Sequence, residues 1–231
     1  MQAIPAPAWS PLTSTIVKKV IMALTGLVWI GFIFFHMYGN LKIFVGPSYY
    51  NEYAEGLRHL GAPIFGHLHV LTLLRVGIVV SIVLHVWAAI SLTRQARAAR
   101  STKYVVKRTV QADYASITMR YGGAMLLLFI LFHLADLTWG VAALSPDFVK
   151  TDPYANVVST FQSLPVIGFY LLALIALGFH LYHGTWSLFQ TLGLLNSRID
   201  KYVRTGGLLL AVVIVAGFAA VPLSVLFGLL S

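Results

Sequence analysis

The sequence predicts an all-α integral membrane protein: a bundle of five membrane-crossing helices, with the amino terminus in the cytoplasm and the carboxy terminus outside. Three observations lead there. The 231 residues are 58% apolar and only 10% charged, with a mean hydropathy of +0.82, which leaves too little polar surface to clothe a water-soluble globule. Five apolar runs are long enough to cross a hydrocarbon core of roughly 30 Å, which takes about 20 helical residues. The basic residues gather in alternate connections between those runs.

The first span, Val20 to Val45, follows Lys18 and Lys19. A cleavable signal peptide also begins with basic residues and an apolar run. This run, however, is span-length, contains Trp29 and His36, and is followed by no small-residue cleavage site. The next loop, "PSYYNEYAEGLRHLG", mixes aromatic and charged residues in the manner of a short amphipathic helix lying at the interface. The second span is Val70 to Leu92. Arg94, Arg97, Arg100, Lys103, Lys107, Arg108 and Arg120 separate it from the third, Ala124 to Leu144. The loop "SPDFVKTDPYANVVSTFQSLP" is polar and turn-rich, with room for a short helix near its end. It leads to the fourth span, Val166 to Leu188. Arg198, Lys201 and Arg204 precede the fifth, Leu208 to Leu230.

Twelve of the sixteen basic residues thus fall on one side, and four of the seven acids, Glu52, Glu55, Asp147 and Asp152, on the other. Short loops rich in Lys and Arg stay cytoplasmic, which fixes the expected orientation. The net charge of +9 is then mostly a topology signal, and nucleic acid is not an expected partner. No soluble domain, internal repeat or low-complexity tract is visible, so residues 1–231 read as one membrane domain.

The chain has no cysteine. That excludes disulfides, thiolate metal sites, iron-sulfur clusters and covalent haem attachment, and leaves histidine as the main ligand. His36 lies in the first span, His85 in the second, His133 in the third, and His180 with His183 in the fourth. An ionisable group inside hydrocarbon is costly unless partnered, so one near the middle of each of four helices points to function. At a rise of about 1.5 Å per residue, His36 and His133 fall on the outer side of the bilayer and His85 and His180 in the inner half. Two imidazole pairs stacked across a helical bundle are what two bis-histidine b-type haems require. Tetrahedral zinc would want more ligands converging on one point.

Glycine stands ten residues before His36 and His133, at Gly26 and Gly123, and Gly184 follows His180 by one turn. Small residues let helices approach and make room for a macrocycle. A bc-type cytochrome would carry two histidines on each of two helices. A histidine-lined transporter would carry polar residues between the two levels, where this chain has apolar filling. A haem-bearing subunit of a hydrogenase or formate dehydrogenase stays open as an alternative.

The set "TGLVWIGFIFFHM", "VLHVWAAI", "GGAMLLLFILFHL" and "FHLYHGTWSLFQTLG", spread over five spans and essentially the whole chain, resembles the di-haem cytochrome b membrane anchor of succinate dehydrogenases and fumarate reductases, the b558 type. FHxxxGxWS is its most specific element. The resemblance implies axial haem ligands at His36 and His133 for an outer haem b, and at His85 and His180 for an inner one. His183 lies one turn beyond the family's ligand position, and the plainer reading for it is a hydrogen bond to a propionate or a backbone carbonyl. The resemblance further implies partners on the cytoplasmic face, a flavoprotein that interconverts succinate and fumarate and an iron-sulfur protein. By the same resemblance the dicarboxylate active site is expected on the flavoprotein, and this chain is expected to be the quinone-reactive subunit, passing electrons to menaquinone in a bacterial or archaeal cytoplasmic membrane. The basic loops suit docking of the iron-sulfur subunit or anionic lipid equally.

Arg75, in the outer part of the second span, wants an anion, and a haem propionate is the first choice. Glu52, Tyr53 and Glu55 are candidates to move protons to an outer quinone, with solvated loop residues the plainer reading. Some menaquinol-oxidising fumarate reductases of this kind carry a glutamate two residues before the fourth-span ligand. Gly178 stands there in this chain, which favours succinate oxidation.

Overall fold

A computed structural model describes residues 14–99 and 111–231. Arg100, Lys103, Lys107 and Arg108 of the basic connection lie outside the described residues. The helices are α1 (Thr15–Leu41), α2 (Pro47–Gly56), α3 (His69–Ala98), α4 (Gln111–Leu137), α5 (Pro153–Thr160), α6 (Leu164–Thr191) and α7 (Asp200–Leu226), with short 3-10 turns at Lys42–Val45 and Leu57–His59. Among the described residues five segments are long and apolar enough to cross a membrane: Thr15–Val45, His69–Ala98, Met119–Leu137, Leu164–Thr191 and Asp200–Leu226. The protein is a multi-pass, all-helical membrane bundle. The two short helices α2 and α5 cap one end of it, and Arg94, Arg97, Arg198, Lys201 and Arg204 lie toward the other, basic end.

Local chemistry explains where the helices start and stop. Ser14 caps α1, its hydroxyl accepting from Val17 N–H at 3.5 Å. Asp152 caps α5, accepting from Ala155 N–H at 3.0 Å, with Pro153 in the first turn where its missing N–H costs nothing. That N–H, followed by the Asn51 amide, holds the Asp152 carboxyl below the usual carboxylate range. Helix α4 ends at Leu137 although the apolar run continues to Leu144. Trp139 N–H closes on Leu134 O at 2.8 Å and Val141 N–H on Ala135 O at 2.9 Å. Gly140 then takes φ +58°, a value that favours glycine. Residues 138–144 therefore turn back over the end of the bundle, and the Ser145 hydroxyl reaches the Asp136 carboxylate.

The centre of the bundle is α1, α6 and α7, with α3 packed on α1 and α4 on α6. Met37, Leu181, Ala211 and Ile214 fill its middle. A second cluster, including Ile43, Tyr154, Val157, Phe161, Ile167 and Val221, seals the α2/α5 end. Glycine sets the α6/α7 spacing: a Cβ on Gly207 would lie 3.3 Å from the Thr185 Cβ, and one on Gly178 would lie 3.2 Å from the Val215 side chain. At the basic end Trp186 Nε1–H donates to Asp200 at 2.9 Å. Arg204 Nε–H donates to the other carboxylate oxygen at 2.8 Å, and its guanidinium lies 4.5 Å from the Trp186 ring centre. Across the α2/α5 end, Asn51 donates to Asp152 at 2.8 Å and accepts from Tyr154 N–H at 3.0 Å. Large apolar side chains such as Leu73, Val79, Val83 and Leu128 stay exposed, as residues do whose solvent is lipid.

Candidate functional site

Four of the five span histidines meet in two pairs. His36 of α1 and His133 of α4 lie with ring centroids 5.8 Å apart. The rings of His85 of α3 and His180 of α6 are 6.2 Å apart. Neither α1 with α4 nor α3 with α6 is among the extensive helix contacts, so each pair spans a place where the backbones stand apart. Imidazoles at this separation would leave room for a metal held by one nitrogen from each ring. Each pair could hold one iron.

The other ring nitrogens settle which atom is free to ligate. The Thr25 hydroxyl donates to Ile21 O at 2.7 Å, so its oxygen accepts from His85 Nδ1–H at 3.1 Å. The Tyr170 hydroxyl points at Asp136 Oδ2 at 3.5 Å and accepts from His133 Nδ1–H at 3.2 Å. In both rings Nε2 is left for a metal, the arrangement in which an outer partner orients a ligating imidazole. His180 Nδ1 is buried with no partner. The sequence explains the difference: where α1 has Thr25 before Gly26, α4 has Gly122 before Gly123, and no hydroxyl stands beside His180.

The two glycines back the imidazoles of the neighbouring helices. A Cβ on Gly26 would lie 3.6 Å from His85, and one on Gly123 would lie 3.6 Å from His180. Gly26 marks the level of His85 on α1, and His36 is ten residues further on; Gly123 and His133 repeat this against His180 on α4. Ten residues of helix rise about 15 Å, which is the separation of the two levels. The α1/α3 pair and the α4/α6 pair therefore share one layout, although the sequence shows no repeat. Phe32 stacks on His36 at 5.3 Å and Phe129 on His133 at 5.7 Å, and Trp29 Nε1 is buried near them without a partner.

One residue escapes a reading based on histidines. Asp136, 3% exposed, lies one turn beyond His133. It accepts from Thr160 Oγ1 with both oxygens at 3.2 Å, from Ser145 and from Tyr170. The signal was present in the sequence as an acid in an apolar span. Asp136, Tyr170 and His133 form a continuous hydrogen-bonded line.

The remaining candidates are spread out. Arg75 is exposed on α3, six residues into the helix and so at the depth of His36, which is five residues from the end of α1. His183 is half-buried, with its ring 5.1 Å from Tyr182. Glu52 is exposed on α2, and Tyr53 packs its ring against Gly39 of α1. Glu55 joins Arg58, His59 and His67 at the surface. At the basic end Ile16, Lys19, Val20, Gln190 and Thr191 line an open groove of about 350 Å³.

A family model described as succinate dehydrogenase/fumarate reductase transmembrane subunit matches residues 93–221, more than half of the chain. Comparison with curated proteins and with solved structures gives no match.

Proposed function

The chain belongs to the succinate dehydrogenase/fumarate reductase transmembrane-subunit family, and from that premise we propose that it holds two b-type haems and carries electrons across the membrane between an iron-sulfur partner and menaquinone. The observation that carries this reading is the pair of imidazole pairs, 5.8 and 6.2 Å between centroids, stacked about 15 Å apart along the helices. When bound, the haems supply two one-electron carriers at those levels. His36 and His133 would hold one, and His85 and His180 the other. Trp29 Nε1, buried without an acceptor, and Arg75, at the depth of His36, suit propionate oxygens. His183 suits the inner haem in the same way.

In this reading the basic end faces the cytoplasm and docks the flavoprotein and iron-sulfur subunits, so the His85/His180 level receives electrons first. Menaquinone is then reduced near the His36/His133 level. Succinate oxidation is the favoured direction. A carboxylate at position 178, of the sort that would take a proton from menaquinol, is absent, and a Cβ there would lie 3.2 Å from the Val215 side chain, which would have to shift to admit one. The test is a dithionite-reduced spectrum with haem quantitation on the purified protein. The expected result is b-type absorption and two haems per chain; one haem, or none, overturns the reading.

The line from Asp136 through Tyr170 to His133 gives the two sites different character. A carboxylate that draws on the Tyr170 hydroxyl strengthens the hydrogen bond from His133 Nδ1–H and makes the ring a better donor to oxidised iron. The inner pair has only the neutral Thr25 hydroxyl on one ring and nothing on the other. The outer haem should therefore have the lower potential. Tyr170→Phe removes a hydrogen bond worth about 1 kcal/mol, equivalent to about 40 mV for a one-electron couple. Redox titration of the variant should show the lower potential raised by that order and the higher one unmoved. An equal shift in both, or none, would remove Asp136 and Tyr170 from this role.

A further inference from the structure

At the α2/α5 end, away from both histidine pairs, three side chains converge that the electron path does not use. Glu55 stands at the end of α2 and His59 four residues on, in the 3-10 turn Leu57–His59, and His67 returns to them from the loop that leads into α3. Glu55 Oε1 lies 3.3 Å from His59 Nε2 and 3.7 Å from His67 Nε2, and the three donor atoms lie within 4.8 Å of one another. Ligands about 2.0 Å from a tetrahedral zinc ion lie about 3.3 Å from each other, and two imidazoles with one carboxylate make a donor set that zinc uses with water in the fourth place. The second carboxylate oxygen is engaged elsewhere: Arg58 donates to Oε2 at 2.7 Å, which turns Oε1 toward the two rings. We propose that Glu55, His59 and His67 form a surface site for zinc or a similar imidazole-preferring divalent cation.

The loop is built to deliver His67. Its neighbour Leu68 takes φ +68°, a left-handed conformation that a leucine adopts only when its surroundings demand it. Leu68 N–H donates to Arg58 O at 2.7 Å, and the Gly66 N–H donates to His69 Nδ1 at 3.2 Å. Those bonds pin residues 66–69 against the end of α2, and the two imidazole centroids come to 4.8 Å. All three side chains are about half exposed, and the ion enters directly from water. A bound cation would tie α2 to the loop before α3 and stiffen the cap over that end of the bundle.

The test uses the full chain in detergent with its haem complement intact, stripped with chelator and dialysed against buffered zinc. The expected result is one zinc per chain at low-micromolar free zinc, undisturbed by excess magnesium, which prefers oxygen ligands. His59→Ala, His67→Ala and Glu55→Gln should each weaken binding by about 100-fold or abolish it, whereas Glu52→Gln, on the same helix, should bind as the unaltered chain does. Zinc X-ray absorption on the unaltered protein should show two imidazoles and oxygen ligands. This reads the site without relying on any variant to fold. Zinc binding unchanged in both histidine variants, no stoichiometric zinc, or a spectrum without two imidazoles would overturn the proposal. Because the site shares no residue with the haem ligands, its failure leaves the electron-carrying reading untouched.

Discussion

Alanine at His36 or at His133 should remove the same haem, and alanine at His85 or at His180 should remove the other. The expected effect is complete loss of one chromophore, because the rings beside His36 and His133 are Phe32, Phe129, Phe218 and Tyr170, none of which can replace an imidazole. The pairing follows from contact: His36 meets His133 and His85 meets His180, and Gly26 and Gly123 bind the levels into one frame with His85 and His180. His183→Ala should keep both haems, since its ring lies beside Tyr182 and not opposite another imidazole. Haem quantitation with low-temperature spectra, which separate the two bands, measures all five variants. A matching loss in His36→Ala and His85→Ala would contradict the pairing. Loss of a haem from His183→Ala would move the α6 ligand by one turn.

The five spans were legible because a bilayer makes a single demand, about 20 apolar residues with no unsatisfied backbone, and composition alone shows where it is met. Which helices neighbour one another was not. Gly26 and Gly123 could be marked as small residues near a ligand on their own helix. Their contact with His85 and His180 depends on α3 lying against α1 and α6 against α4, and no spacing within one helix states that. The end of α4 was hidden for a different reason. Residues 138–144 are apolar enough to extend a helix, and what stops them is tertiary: Asp136 binds Ser145 and Thr160, and Gly140 makes the turn. Asp136 itself was in plain view between His133 and Leu137, an acid in hydrocarbon whose partners come from α5, α6 and the loop after α4. The convergence of His67 on Glu55 and His59 required the loop conformation at Leu68, which leucine does not advertise.

Succinate-to-menaquinone activity in sealed vesicles should fall when an uncoupler collapses the membrane potential, and the same enzyme in detergent should be indifferent to it. In the proposed orientation, with the basic loops in the cytoplasm, electrons would arrive at the His85/His180 level and leave from the His36/His133 level, toward the positive side of an energised membrane. If the Asp136–Tyr170 line makes the second level the harder one to reduce, as proposed, the step between levels is chemically uphill. The field opposes that slope. A full crossing is worth about 2.3 kcal/mol per 100 mV, and levels about 15 Å apart span about half of a 30 Å core. The step therefore gains about 1.1 kcal/mol per 100 mV, or about sevenfold in its equilibrium constant. The gain survives only if the protons that join the reduced quinone come from outside, because protons drawn from the cytoplasm would cross the same field and cancel it. Tyr170→Phe, by easing the slope, should make vesicle activity less dependent on the potential. Unchanged activity in vesicles whose potential has demonstrably collapsed would place quinone reduction at the basic end instead. The open groove between Lys19 of α1 and Gln190 of α6 would then be the candidate entry for that quinone.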